Sequence, residues 1–163
     1  MKKLFVLLGF LSLPLAASET DRLSLMTEMQ YTDEQQCHVR MTADEAPRSI
    51  VHLLLASHGI EGIDQKKVMA ALDTAALRGC DFNELEKGLS PLHVAMLYND
   101  AAMVRYLLNH GAEVSVTVNR PDSRAHGMNA AAFMDFLLLL DVERAHVLDR
   151  GAVQELIVQA NHQ

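Results

Sequence analysis

Residues 88–112, with the sequence GLSPLHVAMLYNDAAMVRYLLNHGA, decide the fold of this chain. Ser90 can cap a helix, and Pro91 suits the first helical turn, where its missing N–H has no partner to lose. Apolar residues then recur at three- and four-residue spacing, which predicts one buried helix face. Asn99 and Asp100 interrupt the pattern before a second apolar run. We therefore expect two short helices joined by a tight turn, a unit that buries its apolar faces only by stacking on neighbours.

Two parts of this stretch carry a family resemblance. Residues 90–95, SPLHVA, resemble the ankyrin-repeat signature Thr-Pro-Leu-His-x-Ala, and residues 107–112, LLNHGA, resemble the end of the second helix of that repeat. A similar turn, GCDFN, stands upstream at residues 79–83. The chain thus resembles the ankyrin-repeat family over about residues 49–152. The resemblance implies an all-α, non-catalytic stack of about three helix pairs that binds proteins through its concave face and fingers, the connections between pairs.

The resemblance divides the chain into repeats and caps. We expect repeats at residues 49–83, 88–120 and 127–152, an N-terminal cap over 18–48, and a C-terminal cap and tail over 153–163. Capping helices are expected because the end units of a stack must cover its apolar faces.

Three details of this division can be tested. One N-terminal capping helix is expected around residues 23–29. A second is expected to open at the capping box Thr32–Gln35 and to carry Cys37. In the third repeat, residues 144–152 are expected to form the second helix and its closing Gly-Ala turn.

The connection between the second and third repeats is unusually long. Gly111 to Asn129 spans 18 residues, whereas the corresponding step from Gly79 to Ser90 spans 11. Valines alternate with polar residues from 114 to 119, as in a strand, and the following Arg-Pro-Asp indicates a turn. We therefore expect an extended β-hairpin finger, either a recognition element or a tolerated insertion without a function.

The resemblance places partner contacts on the concave face and on this finger. Met and Tyr at the end of a first helix suit adaptable contacts with another protein. The expected partner-binding residues are Met96, Tyr98, Asn99, Asp100, Asn119, Arg120, Asp122, Arg124 and His126. The partner is not identified by the sequence, and the chain alone is expected to be a monomer.

The first residues have the order of an export signal. Met1–Lys3 is basic, residues 4–15 are mostly apolar, and small residues follow before a polar stretch. The apolar part is shorter than the roughly 20 residues that span a bilayer, so no stable membrane insertion is expected after its removal. We expect a signal peptide over residues 1–17, cut after Ala17 or Ser18. Its two lysines favour a bacterial periplasm.

The chain is acidic, with 14 basic and 21 acidic residues and a net charge of −7. No basic cluster follows Lys3 and aromatic residues are few, which argues against a nucleic-acid partner. An acidic surface attracts basic partners electrostatically. An inhibitor or immunity protein of a toxin or envelope enzyme is therefore the concrete functional hypothesis.

Cys37 and Cys80 are the two cysteines of the chain. Export makes a disulfide possible, and the alternative is two separately buried thiols. The bond is favoured because an exported free thiol tends to oxidise, and it would link the N-terminal cap to the first repeat. Cysteines so far apart, with no flanking ligands, do not predict a metal site.

Eight histidines raise the question of a metal or cofactor, but none forms a close ligand pair. His52 and His93 stand at the histidine of the ankyrin signature, where the resemblance implies a structural ring. His58 and His126 lie in insertions and are the better functional candidates. The alternative function is a periplasmic redox- or cofactor-handling accessory protein that uses histidines or the cysteine pair. No nucleophile elbow, phosphate loop or metal triad occurs, so we expect no enzyme and no cofactor.

Overall fold

Helix pairs make up most of the structure, a computed structural model that describes residues 30–40, 42–144 and 148–162. The three pairs are α1 (Ile50–Ser57) with α2 (Gln65–Leu77), α3 (Pro91–Leu97) with α4 (Ala101–Asn109), and α5 (Ala130–Glu143) with α6 (Gly151–Ala160). The first helices, α1, α3 and α5, pack side by side, and α4 packs against α6. The predicted stack of about three helix pairs is confirmed.

Local signals explain the second pair. Ser90 caps α3 by accepting a hydrogen bond from the N–H of His93. Asn99 follows α3 with a φ of 57°, a left-handed conformation that asparagine tolerates and that turns the chain. Asp100 then caps α4 by accepting from the N–H of Met103 at 2.9 Å. Local residues therefore determine where α3 begins, where the chain turns after it, and where α4 begins.

One continuous apolar core runs through all three pairs. Burial of such side chains supplies most of the stabilisation of a stack, because each pair covers the apolar face of the next. The fully or almost fully buried side chains include Val51, Leu54, Leu72, Leu92, Met96, Leu107, Phe133, Leu137 and Ile157.

Three short antiparallel strands precede α1. They are β1 (Gln30–Tyr31), β2 (His38–Arg40) and β3 (Arg48–Ser49), with β2 in the middle. Val39 of β2 is buried in the core, and the N–H of Ile50 donates to the carbonyl of Cys37 at 2.8 Å. The sheet therefore leads directly into the first helix.

The prediction of a capping helix that opens near Thr32 and carries Cys37 is wrong. The carboxylate of Asp33 accepts hydrogen bonds from the N–H groups of Cys37 and His38, at 2.9 and 2.7 Å. This closes a tight turn into β2, because an aspartate can satisfy turn N–H groups as well as those of a helix. The expected helix near residues 23–29 and the signal peptide over 1–17 lie outside the described residues.

The third pair has a different register from the predicted one. Asn129 caps α5 through the N–H of Ala132, but no helix breaker follows, and α5 continues for 14 residues. Gly151 therefore opens α6 instead of closing a helix, and the prediction of a second helix over residues 144–152 is wrong. Residues 153–160, predicted as a separate cap, belong to this second helix. Among the described residues, no helix is long and apolar enough to cross a membrane.

The long finger is not a β-hairpin. No strand is present between residues 113 and 129. Val118 pairs with the far side of the loop through two backbone hydrogen bonds, to Met128 and from Gly127. Residues 120–128 form consecutive turns rather than a returning strand. Pro121 has no N–H to donate, and the residues after it do not alternate between apolar and polar. The finger is consequently compact and lies close to the stack.

Candidate partner-binding surface

An exposed apolar patch lies at the end of α3. The side chains of Leu97 and Tyr98 are 44% and 68% exposed, whereas Met96 is completely buried. The prediction of Met96 as a contact residue is therefore wrong, because it belongs to the same helix face as the core residue Leu92. The three- and four-residue spacing of the core residues could have identified Leu97 as the outward-facing neighbour.

The two polar residues after this patch hold the stack together. The Asn99 amide donates to the carbonyl of Asp149 at 2.8 Å and so joins the second and third pairs. Asp100 caps α4, and its second carboxylate oxygen lies 2.5 Å from Nδ1 of His58. Asn99, Asp100 and the functional candidate His58 thus have structural contacts that link consecutive pairs.

The fingers before α3 and after α4 stack against each other near the start of α3, at the opposite end of this helix from Leu97 and Tyr98. The N–H of Asn119 donates to the carbonyl of Gly88 at 2.8 Å, and Nε of Arg120 donates to the carbonyl of Lys87 at 2.5 Å. Lys87 and Gly88 both have positive φ, as the two central residues of a type I′ hairpin turn require. The guanidinium of Arg120 is therefore held in place while it remains exposed.

The other predicted finger residues divide into two groups. Asp122 and His126 are exposed. Arg124 instead folds back on α5, with its guanidinium 5.3 Å from the centre of the Phe136 ring and 3.0 Å from the Glu143 carboxylate. The hydrogen bond to Arg124 lowers the pKa of Glu143. Arg124 thus anchors the finger to the third pair.

The two signature histidines are internal. Nε2 of His52 lies 2.9 Å from the carbonyl of Glu84, and Nδ1 of His93 lies 2.7 Å from Oγ of Ser90. Burial lowers the pKa of His93 to about 4, and the backbone of Met128 opposes this shift only in part. Both rings therefore contribute to the structure rather than to a surface site.

A polar cluster that the sequence did not reveal joins the sheet to the first finger, the connection between the first and second helix pairs (residues 78–90). Nδ1 of His38 lies 2.9 Å from Asp33, and Nε2 lies 3.0 Å from both carboxylate oxygens of Glu84. The pKa of His38 is raised, mainly by its hydrogen bond to Glu84. Beside it, Cys37 and Cys80 form a disulfide between Cα atoms 5.3 Å apart.

The residues that the structure describes contain no group of three histidine, cysteine or acidic side chains arranged as metal ligands. The described surface has exposed apolar, amide and charged groups at the end of α3 and on the long finger. Groups of this kind suit contact with another protein.

Comparison with known protein families agrees with this architecture. The profile of the ankyrin repeat matches residues 87–119, which span the first finger, α3, α4 and the start of the long finger. Neither a curated protein nor a solved structure matches the chain. Ankyrin repeats are protein-binding modules that are typically non-catalytic. Residues 87–119 therefore match the ankyrin repeat, and the match covers about a fifth of the chain.

Proposed function

We propose that this chain is an exported binding module that recognises another protein through the end of α3 and the long finger. The observation that carries the proposal is the pair Leu97 and Tyr98, which expose a branched apolar and an aromatic side chain at adjacent positions. Tyrosine at the centre of an interface supplies apolar contact and a polar hydroxyl at a low cost in conformational entropy.

The geometry of the fingers supports a second contact region. Arg120 is fixed by Lys87 but exposed, and arginine is among the residues most often found at energetic centres of interfaces. On α5, which packs beside α3, the side chain of Leu139 is also 49% exposed. A partner that extends along the whole of α3 would meet apolar groups at the end of this helix and an arginine near its start.

The N-terminal sequence and the net charge support a compartment and a kind of partner for this module. The basic, apolar and small residues at the N-terminus support export to the periplasm, and the net charge of −7 supports a basic target. We infer that the chain inhibits a toxin or an envelope enzyme by covering its surface. Cell fractionation and N-terminal sequencing of the mature chain test the export.

Site-specific cross-linking tests the surface. A photoreactive residue is placed at Tyr98, at Arg120 or, as the control, at Leu77, which is 90% exposed on α2. We expect positions 98 and 120 to capture the same protein and position 77 to capture none. Equal capture from all three positions, or none from 98 and 120, contradicts the proposal.

The purified partner then allows a quantitative measurement. Tyr98→Ala is expected to weaken its affinity by at least about 2 kcal/mol, or roughly thirtyfold, as at an interface hot spot. Leu77→Ser is the matched control and should leave the affinity unchanged. The inhibitor role is rejected if the partner's activity is the same with and without saturating amounts of this chain.

A further inference from the structure

A hollow with a volume of about 480 Å³ lies between the second helices of the last two pairs. Its walls are formed by α4, α6 and the first residues of the long finger. Binding sites for small molecules usually have volumes of roughly 300–1,000 Å³. The hollow is therefore large enough for a small organic ligand, and it shares no lining residue with the surface at the end of α3.

The apolar part of the hollow comes from all three of these elements. Leu108 of α4, Leu156 of α6 and Val114 of the finger line it, and each is partly buried against the core. The carbonyl of Val114 accepts a hydrogen bond from the N–H of Ala130 at 3.0 Å, which fixes the finger to the start of α5. Side chains held in this way can receive the apolar part of a ligand without rearrangement.

Two polar donors on α4 also line the hollow. Arg105 and Asn109 are four residues apart, so their side chains lie on the same side of the helix. Neither side chain forms a hydrogen bond or an ion pair with a described residue. By contrast, Arg48, Arg124 and Arg150 are each paired with a carboxylate. A free guanidinium beside an amide suits a carboxylate, whose oxygens can accept two N–H bonds from an arginine.

A negatively charged group borders the same hollow. Glu113 stands four residues after the end of α4, and its carboxylate accepts a hydrogen bond from Oγ of Ser115 at 3.3 Å. The N–H of Glu113 donates to Oδ1 of Asn83 at 2.7 Å, which fixes the backbone at this point. Glu113 and Arg105 form no ion pair with each other or with any other described residue. The hollow thus combines one positive group, one negative group and an apolar wall.

We propose that this hollow binds a short peptide with free ends and an apolar C-terminal residue. Arg105 and Asn109 hold the peptide carboxylate, and Glu113 holds the ammonium group at the other end. The apolar side chain lies against Leu108 and Leu156. A ligand with a negative charge alone would meet the carboxylate of Glu113, and a wholly apolar ligand would displace water from these polar groups without replacing its hydrogen bonds. A peptide with both charges is complementary to all three features.

This inference does not rest on the proposed function. Leu97 and Tyr98 precede the start of α4, whereas the hollow borders the last turns of α4 and α6. A peptide in the hollow and a protein on Tyr98 would therefore occupy different parts of the molecule. Tyr98→Ala should accordingly leave the affinity for the peptide unchanged.

A titration followed by nuclear magnetic resonance tests the proposal, with the methyl signals of Leu108 and Leu156 as the readout. The probes are tripeptides that end in leucine, valine or phenylalanine, each prepared with free ends, with an amidated C-terminus or with an acetylated N-terminus. At millimolar concentrations a free tripeptide should shift both signals, and amidation or acetylation should each weaken the binding at least tenfold. The absence of a shift with every free tripeptide, or equal binding of the amidated form, overturns the proposal.

Variants of the two charged residues assign each end of the peptide. Arg105→Gln should weaken the binding of the free tripeptide at least tenfold and leave that of the amidated form unchanged, since the amide carries no charge to lose. Glu113→Gln should behave in the same way, with the acetylated form as its unaffected probe. Both residues are exposed, so the fold should be retained, and circular dichroism checks this.

The matched control is Arg144→Gln, which removes an exposed arginine outside the hollow and should leave the affinity unchanged. Equal effects of Arg105→Gln and Arg144→Gln would mean that general charge attraction, not this hollow, binds the peptide, and would overturn the proposal. It is also overturned if Arg105→Gln weakens the free and amidated tripeptides to the same extent.

Discussion

Nη1 of Arg150 donates a hydrogen bond to the carbonyl of Met96 at 2.8 Å, in the interior of the protein. The guanidinium also contacts Asp141, with Nε 2.7 Å from the carboxylate, and Arg150 is only 4% exposed. A buried arginine thus satisfies the last turn of α3 and ties the third pair to the second. Because residue 150 stands immediately before α6, this contact fixes where the second helix of the third pair begins.

Replacement of Arg150 tests this role. Arg150→Ala should lower the free energy of unfolding by about 3 kcal/mol, because it removes the hydrogen bonds of a buried guanidinium to the Met96 carbonyl and to the Asp141 carboxylate. The exposed Arg144→Ala is the control and should change the stability by less than about 0.5 kcal/mol. Urea unfolding measures both variants. Similar stabilities for the two variants would show that the third pair is held mainly by apolar packing.

His93 should make the protein sensitive to acid. Its pKa is about 4 in the folded protein and near 6.5 in the unfolded chain, so the unfolded state binds the extra proton between these values. Stability is therefore complete above about pH 6.5 and falls by up to about 3 kcal/mol as the pH drops to 4. His93→Asn should reduce the difference in unfolding free energy between pH 7 and 4.5.

The control for this prediction is His126→Gln, which alters an exposed ring. It should retain the full acid sensitivity of the parent protein. If His93→Asn keeps the same difference between the two pH values, the acid sensitivity comes from other groups.

His38 should have the opposite effect of pH on stability, because its pKa is raised in the folded protein. Its raised pKa means that the folded state holds the proton more tightly than the unfolded chain. The stabilisation is complete below about pH 6.5 and disappears as the pH rises through the raised value. In an NMR titration, Glu84→Gln should lower the pKa of His38 more than Asp33→Asn does, because Glu84 makes the larger contribution. The reverse order would show that the turn, not the first finger, holds the ring.

The disulfide should contribute a large part of the stability. Cys37 and Cys80 are 43 residues apart, and in the chain-entropy model a loop of this size gives about 4 kcal/mol. Replacement of both cysteines by alanine should lower the unfolding free energy by most of this amount. The unmodified protein with and without reductant gives a second measurement that introduces no new side chain. A loss below about 1 kcal/mol in both would mean that the sheet is held by noncovalent contacts.

Local signals predicted the second pair, whereas long-range contacts decided the parts that the sequence missed. Ser90 and Asp100 each accept a hydrogen bond from the N–H group three residues later, and Pro91 stands where a helix needs no N–H donor, so all three effects are visible in the sequence. Asp33 satisfies nearby N–H groups equally well in a helix or a turn. Contacts of its neighbours with Glu84 and Cys80, more than 40 residues away, favour the turn.

In the candidate surface, too, the features that the sequence missed depend on contacts between residues far apart in the chain. The exposure of Tyr98 and the burial of Met96 follow from which face of a seven-residue helix meets the core, and residues that flank a short helix are easily assigned to the wrong side. The role of Arg124 depends on Phe136 and Glu143, which are brought near it only by the extended length of α5. Neither arrangement has a local sequence signal.

Gly88→Ala, compared with Gly79→Ala, tests whether the two fingers press together in solution. Both glycines have a φ of 75°, so an added methyl group costs each about 1 kcal/mol of backbone strain. The new Cβ at residue 79 meets no atom within 4 Å, whereas at residue 88 it would lie 2.0 Å from the carbonyl oxygen of Asn119. Gly88→Ala should therefore be the more destabilising by more than about 1 kcal/mol, because the fingers must separate and lose the hydrogen bond of Arg120 to Lys87. Equal losses in urea unfolding would mean that the long finger is not seated against the first, and that Arg120 is not held where a partner could meet it.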